Sequence, residues 1–284
     1  MSDFLAILSF SWIPLAGAAS FAMTAAPLGS LLSLRDEILL GLALPPVGTA
    51  AIVAAVWVGV PAEQTLALYL IAVVGILAVS LLTPRKPGRG TGSPRWRSAF
   101  LASVFCGGEA ATILISSVST SVEAHMQHML RGELLAIGLP GLVGFGVLTG
   151  IVLILGYRFR GVLLALAVDE EGLSVKNRQR AGRVLFGFRV LSAVIVAAGV
   201  IWVGPLLTIG LLAIPTMLHE RCARGLIPLV LGVAAIGLVG VLAGFLGSIA
   251  LDLPPVPVVI FALFAVGGVA GRRMGTRRLR SLKS

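Results

Sequence analysis

The sequence predicts an all-α protein that crosses a membrane eight or nine times, and three observations predict it. Of 284 residues, 57% are hydrophobic and only 12% are charged, about half the charge that clothes a soluble domain. The mean hydropathy is +1.03. Apolar runs long enough to cross a hydrocarbon core recur along the chain. Together these exclude a soluble enzyme, a disulfide scaffold and a soluble nucleic-acid-binding domain. Strand-like alternation between aromatic girdles is missing, and aromatics are 6%, which argues against an outer-membrane barrel. Cys106 and Cys222 lie far apart and read as free thiols.

The runs divide at charged and Gly/Pro-rich breaks. The first extends from about Leu5 to Leu32; its opening, MSDFLAILSF, has neither a basic start nor a small-residue cleavage site, so no removable signal peptide is expected. The second covers Ile38 to Val60, the third Gln64 to Leu82, the fourth Ser98 to Val118, the fifth Leu134 to Tyr157 and the sixth Val184 to Pro205. A short piece, Leu206 to Leu218, follows between Pro205 and Pro215 and reads as a tilted or broken helix facing protein rather than lipid. Leu226 to Leu251 and Val256 to Ala270 complete the set.

The basic residues orient these spans. Pro84 to Arg97 carries five Lys/Arg, Arg158 to Arg183 six, His219 to Gly225 two and the tail from Gly271 to Ser284 six. These nineteen of twenty-two fall on one side if the short piece crosses, and positive loops stay cytoplasmic. The C-terminus is then inside. The net charge of +10 is a topology signal, and no nucleic-acid partner is expected. Glycines inside the spans, such as Gly141, Gly144, Gly237, Gly240 and Gly244, fit close helix packing. No internal repeat is visible.

Ionisable residues inside a membrane cost roughly 2.5–3.5 kcal/mol each, which makes each a functional candidate. Glu109 (CGGEAAT) is the deepest acid, and it either locks a helix contact or lines a polar path. Asp36 and Glu37 open the second run, where an acid caps a helix N-terminus; that role is expected for Asp36. Asp252, in SIALDLPPVP, suits turn initiation and cation capture about equally. His125 and His128 (EAHMQHM) sit on an outer loop, at a spacing that puts both imidazoles on one helical face as outer-loop metal candidates. His219 and Glu220 close the short piece as solvated end residues. No zinc-protease, phosphate-loop or nucleophile-elbow motif is present. If ATP drives transport here, another chain hydrolyses it. Leu163 to Lys176 (LLALAVDEEGLSVK) reads as a short amphipathic cytoplasmic helix docking on a partner, with an acidic knot at Asp169, Glu170, Glu171 and then Gly172.

Five stretches in order resemble the permease subunits of divalent-metal (zinc, manganese, iron) ABC importers: AAPLGSLLSLR, HMLRGELLAI, VDEEGLSV, VGPLLTIGLLAIPTML and SIALDLPPVPVVI. The resemblance runs from about Ala18 to Gly268. It implies a type II ABC importer permease fold and one permease domain over residues 1–284, with the coupling segment at about 163–176 and the basic cytoplasmic tail at 271–284. It also implies a homodimer in the bacterial inner membrane, bathed in lipid, with cytoplasmic ATPase subunits and an extracytoplasmic metal-binding protein as partners. Asp169, Glu170, Glu171 and Gly172 would contact the ATPase. The chain would bind no cofactor of its own; the divalent metal is substrate, zinc first and manganese second. A metal chelate is the alternative cargo, and an ion-coupled carrier using Glu109 the alternative class.

The resemblance breaks at the second helix. The family places an Asp and a His of its metal path there, and DEILLGLALPP puts Glu37 at the Asp and Gly41 at the His. Glu37, Glu109 and Asp252 are accordingly the expected translocation-path residues, with Glu109 supplying a second carboxylate within the bundle in place of the lost imidazole.

Overall fold

A computed structural model describes residues 11–61, 63–83, 94–118, 137–158, 178–220, 223 and 225–281. Among them the chain forms nine α-helices: α1 (Trp12–Leu34), α2 (Ile38–Trp57), α3 (Thr65–Leu82), α4 (Pro94–Val118), α5 (Leu139–Arg158), α6 (Arg178–Trp202), α7 (Pro205–His219), α8 (Leu226–Leu251) and α9 (Pro255–Ser281). Six of them, α1 to α4, α6 and α8, are long and apolar enough to cross a membrane; α5, α7 and α9 hold shorter apolar stretches. The all-helical expectation of eight or nine elements is met.

α1 lies at the centre. Ala18, Phe21, Ala22, Ala25, Ala26, Leu28 and Leu32 are all buried on it, and α1 packs against α8, α7 and α5. Near the α6–α7 junction, an aromatic chain ties four helices together. Phe21 of α1 lies 5.1 Å from Phe145 of α5, whose ring meets Trp202 of α6 edge-on at 5.3 Å. Trp202 in turn stacks on Tyr69 of α3 at 5.8 Å. The Tyr69 hydroxyl donates to the Val194 carbonyl at 3.2 Å, which satisfies the polar end of a ring otherwise suited to an apolar setting.

The short piece expected after Pro205 is a continuous helix, with Pro215 accommodated inside it. At 1.5 Å per residue its fifteen residues reach about 22 Å, less than the ~30 Å of a hydrocarbon core. It can be short because it starts inside the bundle. The N–H groups of Val203 and Gly204 both donate to the Gly199 carbonyl at 2.9 Å, Gly204 takes φ 94°, and Pro205 opens α7 at once. A side chain at 204 would strain this reversal. α7 then runs beside α1, α9 and α2, and ten of its residues are buried. The protein-facing expectation for this piece therefore holds.

Membrane helices have no hydrophobic drive to associate, so closeness of approach carries much of their packing. Gly29 of α1 shows the limit: a Cβ there would collide with the Leu212 carbonyl of α7. α3 presents Leu66, Leu70, Val74 and Leu81 outward, as a lipid-facing helix should. Gly29→Ala is expected to cost about 1–3 kcal/mol of stability through overpacking. Gly146→Ala, whose Cβ meets nothing within 4 Å, is expected to be neutral or to gain up to about 1 kcal/mol from helix propensity. Thermal unfolding of the two variants in detergent checks the pair.

Candidate functional site

Three residues separate α1 from α2, so the chain must reverse abruptly. The Asp36 N–H donates to the Ser33 carbonyl at 2.8 Å and the Glu37 N–H to the Leu32 carbonyl at 2.7 Å, the two bonds of a Schellman helix end. This geometry requires a left-handed residue at position 36, and Asp36 supplies φ 53°; Asp is among the few non-glycine residues that tolerate it. The expectation that Asp36 caps α2 is thereby corrected. It terminates α1, Glu37 precedes α2, and the Glu37 side chain makes no cap bond.

That side chain is engaged elsewhere. Arg35 Nε donates to Glu37 Oε2 at 3.1 Å, and Arg97 Nη2, from the first turn of α4, donates to Oε1 at 3.2 Å. Arg97 Nη1 also donates to the Asp36 carbonyl at 3.3 Å. The Arg35 guanidinium lies 5.1 Å from the ring centre of Phe188 in α6, a cation–π separation. Glu37 is 4% exposed, Arg35 6% and Arg97 8%. Both oxygens of the Glu37 carboxylate accept a charge-assisted bond from a guanidinium. A divalent cation approaching Glu37 would have to displace an arginine.

Glu109 lies in mid-α4, twelve residues beyond Arg97, or about 18 Å along the helix. The structure therefore does not bring Glu109 and Glu37 together. Glu109 is half-buried. Its neighbour Gly108 seats α4 on α2: a Cβ there would stand 2.9 Å from the Pro46 carbonyl carbon. Pro45 and Pro46 lie inside α2 and remove the donors that the carbonyls of Gly41 and Leu42 would otherwise meet. Thr49 Oγ1 donates to the Pro45 carbonyl at 3.1 Å and Thr112 Oγ1 to that of Gly108 at 2.8 Å. Glu109 follows Gly108 directly, beside this close contact of α4 with α2.

Asp252 sits at the opposite end of the bundle from Glu37. It closes α8 with φ 53° and ψ 44°, the Leu253 N–H donates to Ser248 at 3.1 Å, and Asp252 is exposed. The three acids of the expected path thus occupy one end, the middle and the other end. His219, expected to be solvated, is corrected. It is 3% exposed, its ring packed on Gly232 of α8, where a Cβ would collide with it. Glu220 is exposed as expected and accepts from Ser33 Oγ at 2.7 Å. Cys106 is a free, exposed thiol. Among the described residues no group of three or more His, Cys, Asp or Glu is placed to hold a metal ion. His125, His128, Asp169, Glu170, Glu171, Gly172 and Cys222 lie outside the described residues.

The two arginine partners of Glu37 escaped the sequence reading, which counted Arg97 among topology charges. One signal was available: Arg97 directly precedes an apolar run, so a helix beginning slightly earlier carries it inward. Glu37→Gln is expected to cost about 3–5 kcal/mol, because two buried guanidiniums lose their counter-ion. Thermal unfolding in detergent measures it, and a loss below about 1 kcal/mol would mean that the pair behaves as a surface one.

The signature of the ABC 3 transport family matches residues 11–270. No curated protein sequence matches the chain. Among solved structures, PsaBC from Streptococcus pneumoniae in complex with Fab aligns with a TM-score of 0.78 at 16% identity, covering 94% of each chain. An inward-facing conformation of a putative metal-chelate type ABC transporter aligns with a TM-score of 0.66 at 16% identity, over 93% of this chain and 87% of that one. These likenesses establish a shared fold.

Proposed function

The chain belongs to the ABC 3 transport family, and from that membership we propose that it is the permease subunit of an ATP-driven importer for divalent transition metal in a bacterial inner membrane. Two copies would pair and engage cytoplasmic ATPase subunits through residues 163–176, with Asp169, Glu170, Glu171 and Gly172 at the contact. An extracytoplasmic binding protein would deliver cargo. Strict alternation of the nine helices among the described residues supports a cytoplasmic C-terminus, since it gathers the basic loops and the tail at one end of the bundle.

The observation that carries the choice of cargo is the Glu37 ion pair. A carboxylate held by two guanidiniums is a counter-ion, so the second helix offers no free carboxylate at this position to a bare metal. That suits a metal that arrives within a chelate, its first coordination shell already filled; zinc is the first metal to test and manganese the second. Glu109, beside the exposed face of α4, lines the path in this reading. α4 leaves Ser103, Cys106, Gly107 and Ala110 exposed around it, where a lipid-facing helix such as α3 shows Leu and Val. A second copy against this face would spare Glu109 the cost of facing lipid.

Cellular zinc, manganese and iron, measured by mass spectrometry in a deletion strain under metal limitation, test the proposal. One metal is expected to fall selectively, to be restored by the wild-type gene and to stay low with Glu109→Gln. Uptake of that labelled metal is expected to be faster from medium conditioned by metal-starved wild-type cells than from fresh medium with the inorganic salt. Unchanged content of all three metals would contradict the importer; equal uptake from both media would contradict the chelate and return the free ion.

A further inference from the structure

α4 is attached to the bundle in an unusual way. Its dominant neighbour is α2, and its remaining surface is largely exposed, with Ala102, Ser103, Cys106, Gly107, Ala110, Ile113 and Leu114 outward. Two fixed points hold the pair. At one end Arg97 donates to both the Glu37 carboxylate and the Asp36 carbonyl, at 3.2 and 3.3 Å. At mid-span Gly108 lies against Pro46 with no room for a Cβ. Two separated anchors fix a helix in rotation as well as position. α2 meets α1 at the short turn with left-handed Asp36, where Leu32 also lies against Gly41, and it packs on α3, α6 and α7 besides. The same carboxylate is bonded by Arg35, whose guanidinium rests on Phe188, about ten residues into the helix that follows the 163–176 segment.

We propose that α2 and α4 move as one rigid two-helix lever, with Arg97 as its tie and the Asp36 turn as its hinge, and that the Arg35–Phe188 contact links this lever to α6. Movement at the cytoplasmic start of α6 then displaces α4, and Glu109 with it, without sliding α4 along α2. Arg97 is a positioning residue: it acts on the path through the placement of α4. The transmission part rests on the ATP-driven reading above; the tie between the helices does not.

Spin labels test the lever in a chain whose Cys106 and Cys222 are replaced by serine, assembled with its ATPase and diluted with unlabelled chain. Labels at the exposed positions 39 and 102 report the α2–α4 distance, and labels at 102 and 231 report α4 against α8. The 39–102 distance is expected to stay constant between nucleotide-free and ATP-bound states while the 102–231 distance shifts. Arg97→Gln is expected to broaden the 39–102 distribution and lower uptake while ATP hydrolysis continues; Arg97→Lys, which keeps the charge, recovers part of both. A 39–102 distance that changes with nucleotide as much as 102–231 does would overturn the lever while leaving the transport reading intact.

The tie is tested separately on the purified chain alone. Adding Arg97→Gln to Glu37→Gln is expected to lower Tm less than Arg97→Gln does in the wild-type chain, since the counter-ion is already gone. Additive losses, with an unchanged 39–102 width in Arg97→Gln, would overturn the tie whatever the protein transports.

Discussion

A buried carboxylate shared by two guanidiniums is the constraint on which one end of this bundle depends. Glu37 joins Arg35 in the α1–α2 turn to Arg97 at the start of α4, and Arg35 carries the connection to Phe188 on α6. Removing charges from water is expensive, and ion pairing offsets that cost only when geometry is good and the remaining donors find partners. Here the turn itself provides the geometry. The left-handed Asp36 aims its own carbonyl at Arg97 and sets Glu37 between the two arginines. Local backbone conformation, burial and charge are therefore one feature, and a change to any of them reaches four helices.

Elsewhere the bundle is held by closeness. Gly29 against Leu212, Gly199 against the side chains of Phe21 and Thr208, and Gly244 against Val259 leave no room for a methyl group, so that helices approach closely where lipid gives no hydrophobic incentive. The aromatic chain from Phe21 to Tyr69 holds the region around the α6–α7 reversal in the same manner. α4 contrasts with this: it is joined firmly to one neighbour and open on its other side, where small and polar residues surround Glu109. A protein that rearranges during a cycle needs both kinds of contact, a close-packed body and an element free to move against it.

Most of the fold was legible in the sequence because hydropathy and charge report directly on the solvent each residue meets. Helices α2 to α4 and α8 begin and end within a few residues of their apolar runs, since proline, glycine and charge mark membrane boundaries. The protein-facing character of the short α7 was legible from its length and its flanking Pro205. The site was less so. Asp36 looks like an N-cap because acids favour that position, yet only the backbone angle reveals that it closes the preceding helix. Glu37 looks like a ligand because it is a carboxylate at the head of a span; its two partners lie two and sixty residues away, and the longer pairing leaves no periodic trace. His219 looks solvated because it stands at a helix end, and its burial depends on the absence of a side chain at Gly232 on another helix.

The chemistry at Glu37 separates two kinds of metal importer, one that ligates its cargo along the second helix and one that passes a pre-formed complex. The ion pair gives Glu37 a structural role, and in the proposed reading Glu109 is the acid beside the path. Anomalous diffraction at the zinc edge, from crystals of the wild-type chain soaked with zinc salt, tests this assignment most directly. The account predicts no anomalous density at Glu37, with both arginines still bonded to its carboxylate. A zinc ion bound to Glu37, with Arg97 swung away, would contradict it.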